Sequence, residues 1–279
     1  MNAAGRPMVG IVIVSHSARL AEGVAELARE MGGPEVDIAA AGGVDEPGVL
    51  GTDAVRVMEA IERVSEGGAL VLMDLGSAVL SAETALDLLP DATRARVLLC
   101  EAPLVEGAVA AAAAARAGGT LDEVAAEARG GLAAKQAHLG TVPAPSVPEP
   151  TGGGDDEGGW RSAEATVAGQ HGLHARPAAA VVRAAADLDA EVRVSTPEGA
   201  GPASARSLTA LSALGVRQGG RVVIEARGPD AEAALAAVQA AVRAEDGGPA
   251  PAPPAAAPAE DERPPAPHRP TPPPPRRRR

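Results

Sequence analysis

The chain contains no phenylalanine or tyrosine, and Trp160, Cys100 and Lys135 are each the only residue of their kind. With a single cysteine no internal disulfide can form, so a reducing, cytoplasmic setting is expected. Cys100 follows the apolar run Val97-Leu98-Leu99 and reads as a small buried hydrophobe rather than a nucleophile. The scarcity of aromatics and lysine removes the stacking platforms and interleaved basic patches of nucleic-acid binders. The formal charge of −12 adds repulsion from phosphate backbones, and residues 1–140 carry ten more acids than bases. The β-branched run at residues 9–14 is too short for a signal-peptide core or a membrane span. What remains is rich in Ala, Val and Leu, which must pack closely to form stable cores. The length of 279 residues fits two domains plus connecting and terminal segments.

Residues 9–14 read as a buried parallel strand that ends abruptly at Ser15-His16-Ser17. An amphipathic helix over 20–31 follows, then a strand over 36–40, a Gly-rich loop and a helix over 52–64 with Thr52 as its N-cap. The loop from Gly43 to Gly48 continues into Val49-Leu50 where a nucleotide P-loop requires Lys and Ser/Thr, which excludes that motif. A third strand over 69–73 leads into Asp74-Leu75-Gly76-Ser77 and a helix over 78–88. A strand over 96–100 and two Ala-rich helices, about 105–117 and 121–137, complete the region. This alternation predicts an α/β doubly wound, mainly parallel sheet.

His16 and Asp74 both follow buried strands, and such sheets gather ligands at the carboxyl ends of their strands. A carboxylate there can orient the imidazole and fix one tautomer, which leaves the other nitrogen to attack. Gly76 and Ser77, opening a helix, can present N–H groups to a phosphate. Taken singly, His16 also reads as a satisfied loop histidine and Asp74 as a helix cap.

Residues 140–161 turn to Pro, Gly and acids and read as a linker. As a coil it would span roughly 25 Å and hold its two neighbours at about millimolar effective concentration. The second region reads strand (163–167), helix (176–188), strand (191–195), short strand (201–205), short helix (207–214), strand (221–226) and a helix from 230. His174 falls at the start of its first helix, where unpaired N–H groups and the dipole favour an anion, and Arg176 adds a planar fork suited to phosphate. An imidazole beside an anion site is fitted to carry a phosphoryl group; a helix-capping histidine is the alternative. From residue 246 the chain is Pro/Ala-rich, ends in four arginines and is expected to be disordered. His138 and His268 are assigned no chemistry, and His171 reads as a turn histidine.

Gly172-Leu173-His174-Ala175-Arg176-Pro177-Ala178 resembles the active-site signature of HPr, the histidine phosphocarrier of the bacterial phosphotransferase system, across residues 162–245. The resemblance implies an α+β open-faced β-sandwich, phosphorylation of His174 on Nδ1, and Arg176 holding the phosphate. Ser207 aligns with a serine that some HPr proteins use for regulatory phosphorylation; a cap of the short helix is the plainer reading.

Four further segments, Val12-Ile13-Val14-Ser15-His16-Ser17, Gly51-Thr52-Asp53, Met73-Asp74-Leu75-Gly76-Ser77-Ala78 and Ala102-Pro103-Leu104-Val105-Glu106-Gly107-Ala108, resemble one family. It is the mannose-type IIA domain of DhaM, the phosphotransferase subunit of dihydroxyacetone kinase, and the likeness covers residues 8–139. This implies phosphorylation of His16 on Nε2, Asp74 as its orienting partner, and a homodimer through the IIA domain. The two resemblances together imply a relay from phosphoenolpyruvate, through enzyme I, to His174, His16 and ADP held on DhaL, while DhaK holds dihydroxyacetone. No metal or cofactor is expected in this chain itself. Some relatives carry a partial enzyme I domain after HPr; here the tail stands in that place, so a separate enzyme I is expected. Two rival readings are a IIA–HPr fusion serving a mannose-type sugar permease and a regulatory module whose phosphorylation state is read by a partner.

Overall fold

A computed structural model describes residues 7–46, 48–139, 159–170 and 172–244. Most of the expected linker, the tail, His171 and His268 lie outside the described residues.

The first unit begins with β1 (Gly10–Ser15), whose six residues are all buried. Then come α1 (Ala18–Gly32), β2 (Ile38–Gly42), α2 (Ala54–Val64), a 3₁₀ turn (Ser65–Gly67), β3 (Ala69–Met73), α3 (Gly76–Leu88) and the short α4 (Asp91–Arg94). β4 (Val97–Cys100), α5 (Leu104–Arg116), α6 (Leu121–Gly130) and α7 (Ala133–Leu139) follow. The strands pair in parallel in the order β2-β1-β3-β4. Ile11, Ile13, Leu70 and Leu72 face one layer, containing α1, α5 and α6, while Val12, Val14 and Val71 face the other, containing α2 and α3. Strands covered on both sides read as unbroken apolar runs, which is why these did. The closeness of packing is visible at Gly10, where a Cβ would lie 2.2 Å from the carbonyl oxygen of Val64. Among the described residues no helix is long and apolar enough to cross a membrane.

Two local expectations are corrected. The cap of α2 is Asp53, whose Oδ1 accepts from the N–H groups of Val55 and Arg56 at 2.8 and 3.3 Å. Thr52 instead places its Oγ1 2.7 Å from Ser81 Oγ on α3. The helix read over 121–137 is two helices, broken at Gly130-Gly131. A Cβ on Gly131 would lie 2.8 Å from the carbonyl oxygen of Glu106, so the break lets the backbone close against α5.

The second unit contains β5 (Arg161–Thr166), α8 (Ala175–Ala186), β6 (Glu191–Ser195), β7 (Ala203–Ser204), α9 (Leu208–Ala213), β8 (Arg221–Arg227) and α10 (Ala231–Arg243). Its sheet is antiparallel, in the order β5-β8-β6-β7. The alternation in β6 and β8 sends Val192, Val194, Val222 and Ile224 into a core with Val181, Val182, Leu235 and Val238 of the helices. On β6 and β8, Arg193 and Arg227 stack on the ring of Trp160, with guanidinium carbons 4.0 and 4.8 Å from its centroid. Met31 at the end of α1 and Ala113 on α5 join the same core, so the second unit is seated on the first.

Candidate functional site

β1 and β3 lie side by side in register, with Val14 opposite Met73, so the residues that follow them emerge at one edge of the sheet. Asp74 N–H donates to the Val14 carbonyl and ties the two strand ends together. The Asp74 carboxylate then collects four donors. Oδ1 accepts from His16 Nδ1 at 2.9 Å and from Leu75 N at 2.7 Å. Oδ2 accepts from Ser15 Oγ at 2.8 Å and from His16 N at 2.9 Å.

Burial alone would raise the pKa of Asp74; the bonds from His16 N, Ser15, the His16 ring and Leu75 N outweigh it and hold the carboxyl below its ordinary value. An ionised carboxylate only accepts, so the proton in its contact with the ring belongs to His16 Nδ1. The lone pair of the neutral imidazole is then on Nε2, which lies 2.5 Å from Ser77 Oγ. That hydroxyl is the donor in this contact. Ser77 is the second residue of α3, and Leu75 before the helix contributes no side-chain cap. A phosphoryl group on Nε2 would therefore meet the Ser77 hydroxyl and the first-turn N–H groups of Gly76 and Ser77, at the positive end of a 13-residue helix. Exposed leucines stand near these residues in the chain: Leu75 follows Asp74, Leu50 precedes Gly51, whose N–H donates to the His16 carbonyl, and Leu80 lies three residues beyond Ser77 on α3.

His174 stands immediately before α8 in extended conformation and makes no side-chain cap. Gly172 before it has φ of 76°, and a Cβ there would lie 2.2 Å from the Val216 carbonyl oxygen. Glycine thus permits the close turn in which Leu173 N donates to that same carbonyl at 2.8 Å. Pro177 falls in the first turn of α8, where a missing N–H costs nothing. His174 and Arg176 are exposed. His174 borders a groove of about 850 Å³ that runs between α8–α9 and α5–α7, with Val105, Glu106, Lys135 and Arg217 among its walls.

The structure brings His16, Asp74, Gly76 and Ser77 into one site and leaves His174 and Arg176 in another. Ser207 belongs to neither. It caps α9, accepting from Ala210 N at 3.0 Å, and donates to Glu127 Oε1 of α6 at 2.6 Å. Thr209 Oγ1 donates to the other oxygen of Glu127 at 2.7 Å. Arg116 of α5 forks onto Asp187 at 3.0 and 2.8 Å, which holds Asp187 below the usual carboxylate range. These contacts seat the second unit. Ser207→Asp preserves a capping oxygen but sets a second carboxylate against Glu127. It is expected to open the seat, read as an increased radius of gyration in small-angle scattering; an unchanged radius would count against the contact.

Sequence reasoning missed Ser15 and Glu127 as contributors. Ser15 had a signal, a hydroxyl adjoining His16 at the end of a strand; Glu127, on a helix face of ordinary polarity, had none.

A family model described as PTS system fructose IIA component matches residues 10–125, and one described as PTS HPr component phosphorylation site matches residues 161–244. A Klebsiella michiganensis protein named PEP-dependent dihydroxyacetone kinase, phosphoryl donor subunit DhaM, is 47% identical over 238 residues, covering 84% of this chain and 50% of that protein. The Escherichia coli protein of the same name is 43% identical over 239 residues, covering 82% of this chain and 49% of that protein. The Lactococcus lactis protein named PTS-dependent dihydroxyacetone kinase, phosphotransferase subunit DhaM, is 40% identical over 115 residues, covering 41% of this chain and 89% of that protein. The chain spans about half the length of the first two relatives.

Proposed function

The chain belongs to the DhaM family of dihydroxyacetone kinase phosphotransferase subunits, and on that premise we propose that it is a two-site phosphoryl carrier. Phosphate originating from phosphoenolpyruvate enters from an enzyme I at His174 Nδ1, passes to His16 Nε2, and leaves to ADP held on DhaL for the phosphorylation of dihydroxyacetone on DhaK. The observation that carries this reading is the His16 ring, held by Asp74 through Nδ1 with its Nε2 lone pair aimed at the start of α3.

Transfer between the histidines breaks the P–N bond at His174 and forms one at His16, in line. The electron pair of the broken bond returns to the His174 ring. The attacking Nε2 becomes positively charged as the bond forms, and Asp74 on the far side of the ring stabilises that charge. The Ser77 hydroxyl turns from Nε2 to a phosphoryl oxygen, joined by the first N–H groups of α3. Nothing in this exchange demands more than positioning and charge stabilisation from the chain. Exposed Leu75 beside Asp74, and Leu50 beside the Gly51 that bonds the His16 backbone, suit a protein as donor and acceptor. In the seated arrangement His174 borders a groove whose walls include none of the His16 site residues. In this reading the second unit leaves its seat to hand phosphate to His16, or serves another copy in a homodimer formed through the first unit.

The test incubates the protein with phosphoenolpyruvate and enzyme I, maps phosphohistidine, then adds DhaL–ADP. Label on both histidines that drains into ATP is expected. Label that stays on both would move the acceptor elsewhere, to a permease subunit or to a reader of the phosphorylation state. A protein that never labels at His16 would overturn the relay. His174→Ala is expected to abolish loading at both positions, and added free HPr to restore label at His16 alone.

A further inference from the structure

Ser15 is the last residue of β1 and is fully buried, and among the described residues the buried side chains are otherwise almost all apolar. Its hydroxyl donates to Asp74 Oδ2 at 2.8 Å and accepts from Ser17 N at 3.1 Å. An alanine would keep the Cβ at this strand position and lose only the two hydrogen bonds of the hydroxyl. The hydroxyl is aimed at the oxygen of Asp74 that does not touch the His16 ring.

We propose that Ser15 is a positioning residue for His16: its hydroxyl locks the Asp74 carboxylate in the rotation that turns Oδ1 toward Nδ1. The torsion of a carboxylate about its last bond is broad, so its orientation is set by its hydrogen bonds. Here two donors hold each oxygen, and of the four only Ser15 Oγ and His16 Nδ1 are side-chain atoms. Removing Ser15 leaves Oδ2 with the His16 N–H alone. The carboxylate then swings, the Nδ1 contact weakens, and the neutral ring begins to place its proton on Nε2. An Nε2–H imidazole has no lone pair at the position facing Ser77 and cannot accept phosphate there. Ser15 thus acts on the nucleophile through Asp74, in the way that partners of a ligating or catalytic side chain fix its tautomer.

This inference rests on Nε2 of His16 being the phosphate acceptor, and its test separates the two. The full chain, labelled with ¹⁵N at histidine, is compared as wild type, Ser15→Ala and Ser15→Cys, reading the His16 ring nitrogens by NMR before any phosphate is added. His16 phosphorylation is then timed from phosphorylated free HPr. The wild type is expected to show one tautomer, protonated at Nδ1. Ser15→Ala is expected to show a mixture and to lose about 10- to 100-fold in rate, the usual scale for an outer hydrogen-bond partner. Ser15→Cys, a weak donor of similar size, falls between the two and supplies the comparison should the alanine variant unfold. An unchanged single tautomer in the folded variants overturns the proposal, whether or not the rate falls, because a rate loss alone would be structural. If wild-type His16 takes no phosphate, the carrier reading fails, while the tautomer comparison still decides the role of Ser15.

Discussion

A His16→Ala protein is expected to accept phosphate at His174 and to deliver none of it to DhaL–ADP. The two histidines lie on separate units, each with its own sheet, and His16 lies outside the contacts that seat one on the other. Loading at His174 should therefore continue at the wild-type rate, and label should accumulate there. Onward transfer should fall by about 10⁴-fold or more, the scale of losing a nucleophile outright. Ser77 and the start of α3 remain in the variant, yet they can only bind a phosphoryl oxygen; nothing in reach replaces the lone pair of Nε2. Kinase activity sustained by this variant would sink the assignment of His16. Loss of loading at His174 as well would mean that the two units are coupled more tightly than their contacts imply.

Asp74→Asn is expected to produce the next largest loss while leaving the fold in place. An amide is close in shape to the carboxylate, but it offers one oxygen where the site has four donors to satisfy. With its nitrogen toward the ring, it confronts the Leu75 N–H and drives the His16 proton from Nδ1 to Nε2, which quenches the nucleophile. With its nitrogen on the other side, it confronts the His16 backbone N–H. Either rotation damages the site, and the buffering of positive charge on the ring is lost as well. Exchange of aspartate for asparagine behind a catalytic imidazole costs up to about 10⁴-fold through the wrong tautomer, and a loss of roughly 10³- to 10⁴-fold in phosphorylation of His16 is expected here. A second measurement addresses stability. Because folding lowers the Asp74 pKa, its contribution is fully present above the ordinary carboxylate value and is lost as pH falls through the lower folded value. The acid limb of a denaturation-versus-pH curve should therefore flatten in Asp74→Asn relative to wild type. Identical acid limbs would show that the four donors do not perturb this carboxyl.

Much of this was legible in the chain itself. The β-branched runs that became β1 and β3 announce strands covered on both faces, and each stops at a polar residue, so the edge that carries His16 and Asp74 follows from local pattern. The same holds for Gly172, His174 and Pro177, where turn chemistry and a fixed φ mark the start of α8 within a few residues. These features are local or periodic. Tertiary structure alone decided the rest. Ser15 reaches Asp74 across 59 positions, and Glu127 reaches Ser207 across 80, without any periodicity to predict either pairing. The break between α6 and α7 depends on how closely Gly131 approaches α5, and the cap of α2 passed to Asp53 when Thr52 found Ser81. Sequence determined which residue types stand at the strand and helix ends and paired His16 with Asp74; only packing of distant segments decided which further donors meet that carboxylate and where the second unit sits. A hydrogen bond is a matter of ångströms in space, and the chain records only the order of its donors and acceptors.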